Sequence, residues 1–489
     1  VTESHPEFDI KQLRKRATSG ARWTGTSTGV RIAAQFAQLA ILARLLKVSD
    51  FGLMAMVNVA LQFATTFTDS GVSNAIIHYR DATKKELSSL YWLNVISGAV
   101  VVVAMWFIAP LAAKVYHQPP LVPLLRVAST VFIVVAFGQQ FATLSERDLR
   151  FRRMARIEIS SIVVSAVVGI WLAWKGNGVW SLVWSNLAAA VITSGALTVI
   201  GWSQWRPEMH FDLRECRRFL RFGMFQMGER TLNLLGQQLD KIVIGIVMGA
   251  TPLGYYDMAS RLTARPYQLI NPIFTRVAFP VFSAVQKDRE RLRKGYLELM
   301  EVLTGLTIPI YVGMMVLAAP FVLVQLGEKF TPSIPLLQIL SIVGFAFALS
   351  SPAGSLILAC GRADIGFYLN VLRTGMILAG IYVGAHWGLK GIAWAMVGVV
   401  TAVMFPVHAY VRWKLVHMTL GQFMKATQPF FWSSLAAAVP CVALHYLVHW
   451  PRPLVELTVL TILYVAIYAG SLWWFARSRI HRVVRLVKH

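Results

Sequence analysis

Apolar runs of roughly 20 residues recur along the chain from Ala21 to Trp474, separated by short polar breaks. A helix of that length crosses the hydrocarbon layer of a bilayer, where every backbone group has to be satisfied internally. The pattern predicts about fourteen such spans, at 21–45, 51–76, 88–112, 121–145, 156–174, 178–202, 219–248, 253–283, 297–325, 333–360, 364–386, 388–411, 428–448 and 454–475. The fold class is therefore all-α, a polytopic membrane protein.

The gaps between spans alternate in basic content. Counted from an inside N-terminus, the cytoplasmic segments hold about 32 Lys and Arg against 7 in the opposite gaps, which carry only Arg44, Lys47, Lys114, Lys175, Lys329, Lys390 and Arg452. Cytoplasmic loops collect Lys and Arg, so both termini are placed inside. All of the opposite gaps are short, and no soluble domain is expected on that side.

The pattern also repeats. Ser49-Asp50-Phe51-Gly52-Leu53 and Thr251-Pro252-Leu253-Gly254-Tyr255 lie 202 residues apart, an offset that also superposes Gln35 on Gln237. Gly178-Val-Trp-Ser-Leu-Val-Trp184 resembles Gly388-Leu-Lys-Gly-Ile-Ala-Trp394 at a similar offset. Six spans per half is an even number, so the two halves are parallel repeats, an arrangement typical of transporters. The organisation expected is a basic cytoplasmic or interfacial arm (1–20), an N-terminal six-helix lobe (21–202), a cytoplasmic connector (203–218), a C-terminal six-helix lobe (219–411), two extra helices (428–475) and a basic cytoplasmic tail (476–489).

Composition agrees: 56% of residues are hydrophobic, 14% charged, and the mean hydropathy is +0.57. Soluble domains are nearer about 25% charged. The net charge of +24 reflects the inside-positive loops, and nucleic acid is not expected as a partner. Cys216, Cys360 and Cys441 are scattered and suit neither a disulfide framework nor a metal site. The basic N-terminal stretch runs straight into an apolar segment, so no removable leader is expected.

Four spans carry polar stripes. Thr24, Thr28, Arg31, Gln35 and Gln38 lie within about 80° of helical arc, and Asn58, Gln62, Thr65 and Asp69 within about 60°. Gln226, Glu229, Asn233, Gln237 and Asp240 share about 80°, with Arg230 and Lys241 at one edge. Asp257, Arg261, Arg265, Gln268 and Arg276 span about 100° of the eighth helix. These are the first two spans of each repeat, so periodicity and repeat select the same four helices. Uncharged members also serve as ordinary interhelical stitching. For the charged ones the competing reading is buried pairing, as in Asp257–Arg261 or Glu229–Arg230. Arg276 is close enough to the cytoplasmic interface to snorkel. Pro266, Pro272 and Pro280 interrupt the eighth span; such breaks mark either a static kink or a moving, substrate-binding helix.

Guanidinium groups at membrane depth suit an anion, above all phosphate. Gln, Asn, Thr and Tyr beside them suit sugar hydroxyls, and apolar helical walls suit a lipid tail. The candidate substrate contacts are Arg31, Arg261, Arg265, Arg230, Gln35, Gln62, Gln237 and Gln268. Asp69, Glu229, Asp240 and Asp257 are candidates for Na⁺ or H⁺ coupling, and no other cofactor is expected. The chain shows no convincing DxD-type site, nucleotide loop or nucleophile triad, which argues against a membrane glycosyltransferase or polymerase and for a non-enzyme. A drug exporter would want an acidic cavity for cationic compounds.

The segments LARLLKVSDFGLMAM, FTDSGVSNAIIHYRD, ERDLRFRRMARIEI, QQLDKIVIGIVMG, LGYYDMASRLTARPYQLI, RVAFPVFSAVQKD and GSLILACGRADIGFYLNVLR resemble a polysaccharide repeat-unit flippase of the MOP exporter superfamily, in the Wzx-like colanic acid exporter branch. The resemblance covers about residues 11–425. It implies two six-helix lobes plus two extra helices, a central cavity and alternating access. It further implies an undecaprenyl-diphosphate-linked oligosaccharide moved from the cytoplasmic to the periplasmic leaflet of a bacterial inner membrane, with membrane lipids around it and polysaccharide polymerase or chain-length machinery as candidate partners. A peptidoglycan lipid-precursor flippase or another MOP exporter is the alternative.

Overall fold

The structure is a computed structural model that describes residues 29–69, 76, 83–148, 150–212, 231, 233–286 and 288–488. Among them the regular structure is helical throughout, with no strand. In chain order the helices are α1 (29–45), α2 (Val48–Asp69), α3 (Lys84–Val115), α4 (Leu121–Ser129), α5 (Val131–Arg147), α6 (Phe151–Trp174) and α7 (Trp180–Trp202). There follow α8 (233–248), α9 (Ala250–Val285), α10 (Arg289–Val316), α11 (Ala318–Gln325), α12 (Ser333–Ala359), α13 (Ala363–Gly384), α14 (Gly388–Tyr410), α15 (Leu420–Leu447) and α16 (Pro453–Lys488).

Among the described residues, ten segments are long and apolar enough to cross a bilayer, and one of them, Val371–Leu415, takes in part of α13 and all of α14. Adding the polar-striped α1, α8 and α9 recovers the fourteen spans of the hydropathy pattern. Two spans differ in detail. The one expected at 121–145 is two helices meeting at Thr130, and the one at 297–325 is divided at Leu317.

The helices are apolar on both faces because lipid replaces water outside. On α3, Leu90, Val101 and Met105 turn inward, while Val100, Val103, Trp106 and Phe107 face out. In water such a surface would be a liability; in a bilayer it is the expected exterior. Starts are set locally. Thr83 and Glu86 form a reciprocal cap at the head of α3, and Thr419 and Gln422 do the same for α15, satisfying N–H groups that the first turn leaves open.

The repeat is visible in its turns. Gly178 and Gly388, the first residues of the two similar motifs, both have positive φ, +52° and +69°, which only glycine adopts without strain. After the second of these, a Cβ placed on Gly391 would lie 2.2 Å from the Gly384 carbonyl oxygen. The α13–α14 hairpin closes with Gly384 and Gly391 backbone to backbone, beside Trp387 and Ala395.

The chain packs into two compact units, Val1–Leu235 with Gly245–Thr251, and Gly236–Ile244 with Pro252–His489. In the first, the described part of the connector is pinned to the start of α3. Trp92 Nε1 donates to the Glu208 carbonyl (2.9 Å), and Glu208 and Asp212 donate their N–H groups to the buried Ser88 and Ser89 hydroxyls (3.0 and 3.2 Å). Tyr91, Phe141 and Trp205 stack edge to face beside it. In the second unit, α15 and α16 are fastened to α10, where Tyr464 and Tyr468 donate to the Pro309 and Gly305 carbonyls (3.1 and 2.8 Å). Helix α16 does not stop at the end of the last span: it carries the basic tail as helix through Lys488.

Candidate functional site

Each unit holds one charged cluster on its polar-striped helices. In the first, Arg31 on α1 donates from Nη1 to Glu158 Oε1 on α6 at 2.6 Å, with the side chains 38% and 47% exposed. One face further along, Gln38 Nε2 donates to Ser185 Oγ (3.1 Å), which itself donates to the Ser165 carbonyl (2.7 Å). Gly169 makes room, since a Cβ there would fall 3.0 Å from Ser185 Oγ. Gln35 is half-buried on α1, and Gln62 is exposed on α2.

The second cluster is deeper. Asp257 on α9 is 1% exposed and sits between two cations. Arg261, one turn on, reaches Oδ2 with Nε at 2.5 Å, and Lys241 Nζ on α8 stands 2.9 Å from Oδ1. Lys241 approaches as an ion pair without the alignment of a hydrogen bond. Its side chain is 16% exposed, that of Arg261 40%. Nε of Arg261 makes this contact, and the Nη1/Nη2 edge, the one that matches a phosphate or carboxylate bidentately, is not part of it. Beside this triad, Asp240 is nearly buried and fully occupied. It accepts from the Tyr256 hydroxyl (2.8 Å) and from the Lys241 N–H (2.8 Å).

These contacts sort the residues predicted from sequence. Arg31, Asp240, Asp257 and Arg261 are in built pairs. Arg265 is half-buried one turn beyond Arg261, and Gln237 and Gln268 are exposed on α8 and α9. Glu229, Arg230 and Gln226 lie outside the described residues; Asp69 and Arg276 are placed on their helices by backbone only. The pairing Asp257–Arg261, weighed as the alternative to substrate contact, is present, and Asp240 is held as a hydrogen-bond acceptor inside the fold.

Two charged residues at depth escaped the sequence reading. Glu158 sits in a segment dominated by basic residues, yet Glu158, Ser161 and Ser165 share about 60° of one face, a stripe like the other four. Arg373 on α13 belongs to no polar stripe that would draw attention. Among the described residues, no group of three or more His, Cys, Asp or Glu has the arrangement of a metal site.

The protein is a helical membrane body with paired charges at Arg31–Glu158 in one unit and at Asp257–Arg261 and Asp257–Lys241 in the other. Its fold is shared with a solved structure, the lipid II flippase MurJ in an inward closed conformation, at a TM-score of 0.72 over 94% of this chain and 100% of that one, with 14% identity. The chain belongs to the polysaccharide biosynthesis protein family, whose model matches residues 41–335. It is 34% identical over 378 residues to the lipopolysaccharide biosynthesis protein WzxC of Escherichia coli (strain K12), covering 76% of each chain. To the teichuronic acid biosynthesis protein TuaB of Bacillus subtilis (strain 168) it is 31% identical over 443 residues, 89% of each.

Proposed function

We propose that this protein is a flippase that carries undecaprenyl-diphosphate-linked oligosaccharide repeat units from the cytoplasmic to the periplasmic leaflet of a bacterial inner membrane, for exopolysaccharide or O-antigen synthesis. The observation that carries the reading is Arg261, anchored through Nε to the buried Asp257 carboxylate while its side chain stays 40% exposed. A guanidinium held in this way is oriented before substrate arrives, so little ordering is lost when a phosphate binds. The family and the names of relatives above 30% identity, both in cell-surface polysaccharide biosynthesis, support the substrate class. The likeness to a lipid II flippase supports the fold alone.

In this reading the protein transports and catalyses no covalent step. In the second unit Arg261 and Arg265 take the diphosphate, and in the first Arg31 is the candidate anion contact; the Gln side chains meet the glycan, and the prenyl chain stays in lipid while access alternates between the two sides. Asp257 and Glu158 are resident counterions, which the diphosphate displaces in part; protonation or Na⁺ binding at Asp257 would aid that exchange. Outward movement of negative charge across an inside-negative membrane is itself favourable, by about 2.3 kcal/mol per charge per 100 mV. Both termini face the cytoplasm, and a polysaccharide polymerase is the natural recipient of the product.

The test is complementation. Arg261→Ala/Arg265→Ala should abolish polysaccharide export in a strain lacking its repeat-unit flippase while leaving membrane levels of the protein normal. Normal export from that double variant would overturn the assignment of the arginines. Rescue of a strain lacking the peptidoglycan-precursor flippase, with none of the polysaccharide strain, would overturn the substrate class.

A further inference from the structure

We propose that Arg373 is an anion-binding residue at the centre of the membrane, contacting a phosphate oxygen of the lipid-linked substrate; this rests on the flippase reading and extends its site to α13. Arg373 lies ten residues in from Ala363 at the cytoplasmic end of its helix. At about 1.5 Å per residue that is about 15 Å, the midplane of a hydrocarbon core about 30 Å thick. A cation there is hard to accommodate and is normally paired.

Arg373 has no such pair among the described residues. Of the carboxylates on α8 and α9, Asp257 is committed to Lys241 and Arg261, and Asp240 to Tyr256 and the Lys241 N–H. Instead the guanidinium stands over the Phe347 ring of α12, 5.9 Å from its centroid. Phe347 is in turn paired with Tyr267 of α9, ring to ring at 6.3 Å. On α8, Gly236 faces the same group: a Cβ there would come 3.6 Å from Nη2 and 2.8 Å from the Thr374 hydroxyl. The guanidinium of α13 thus lies beside an aromatic face of α12 and bare backbone of α8.

Those neighbours orient the plane and partly offset the charge, but an aromatic face is a poor acceptor for directed N–H bonds. Nε is buried with no hydrogen-bond partner. A half-buried, immobilised guanidinium with open donors and no acid is an unfinished ion pair, and the missing half is an acceptor-only anion. Phosphate fits the planar fork best. Rules broken locally without a structural gain tend to mark function.

A structural arginine and a ligand-binding one respond oppositely to removal. Arg373→Gln and Arg373→Met should leave the melting temperature in detergent unchanged or raised, because they delete a charge without deleting a partner. In phosphatidylcholine nanodiscs the same variants should bind undecaprenyl diphosphate at least tenfold more weakly than wild type, with Arg373→Lys retaining most of the binding. Phosphatidylglycerol in equal amount should not compete. Wild-type binding by both variants would overturn the proposal, as would a sharp fall in melting temperature matching the loss of binding. Full competition by phosphatidylglycerol would make Arg373 a bulk headgroup site and overturn the substrate assignment. If wild type itself neither binds undecaprenyl diphosphate nor complements a flippase-deficient strain, the flippase reading falls, and the proposal with it.

Discussion

Asp257 is the one residue whose replacement should unbalance the second unit, and the size of the effect follows from its two partners. Asp257→Asn keeps the shape but leaves Lys241 and Arg261 facing each other without an anion. Breaking a buried ion pair from one side costs about 3–5 kcal/mol. Arg261 is 40% exposed and can turn towards water, whereas Lys241, at 16%, cannot escape as easily. The expected loss is therefore at the low end, about 3 kcal/mol. Lys241→Met removes the second cation while the Asp257–Arg261 pair survives, and should cost about 1 kcal/mol. The double variant leaves only the half-exposed Arg261 unpaired, for an expected total of about 2 kcal/mol rather than the additive 4, a coupling of about 2 kcal/mol. Unfolding by sodium dodecyl sulfate in mixed micelles, followed by tryptophan fluorescence, measures all three against wild type. Additive losses would refute the shared-carboxylate arrangement. A neutral Asp257→Asn would show that the carboxyl is not the counterion of either cation.

Three further outcomes follow from other contacts. Glu158→Gln should change stability by less than about 1 kcal/mol, since both members of its pair are well exposed, and should retain export in the complementation assay, while Arg31→Ala loses it; equal loss by both would make the pair itself the functional unit. Tyr256→Phe deprives buried Asp240 of a donor and should destabilise by about 1–3 kcal/mol, whereas Asp240→Asn should keep export, because an amide oxygen still accepts there. Abolished export in Asp240→Asn with normal protein levels would move Asp240 into the coupling machinery. Gly391→Val drives a side chain against the Gly384 carbonyl and should cost at least about 1–3 kcal/mol as overpacking, seen as reduced membrane accumulation and a lower melting temperature; normal accumulation would contradict the tight hairpin.

What the sequence disclosed and what it hid divide along a physical line. Spans were legible because insertion into lipid is decided segment by segment: the transfer of some 20 residues and the charge of the flanking loops are both one-dimensional quantities. The repeat was legible through Gly178 and Gly388, where a left-handed turn leaves glycine as the choice. Within one helix, even the Asp257–Arg261 pair could be read, since residues four apart share a face. Lys241 as the second partner of Asp257 could not, because it depends on how α8 crosses α9. Nor could Glu158, 127 residues from Arg31 and camouflaged by the basic run before it. The breaks at Thr130 and Leu317 were invisible for a related reason: neither interrupts the apolar run, so hydropathy has nothing to register.

The same line explains why the ranking of the arginines shifts. Sequence counts cations on a face, and by that count Arg261 leads. The structure counts charges in a volume. Asp240, Lys241, Asp257 and Arg261 sum to zero, so this group orients a guanidinium without supplying net attraction. A doubly charged head group needs more than orientation at a depth where an uncompensated charge is costly. The attraction has to come from arginines outside the neutral group, and Arg373 is one whose counter-charge the described residues do not provide. On the proposed reading Arg261 selects the geometry of the phosphate, and Arg373 makes its presence at the midplane favourable. Arg261→Lys and Arg373→Lys should accordingly differ: the first keeps the charge but loses the fork, weakening binding and export alike, while the second keeps most of both. Binding of undecaprenyl diphosphate to the two lysine variants, measured side by side, decides the division, and equal losses would refute it.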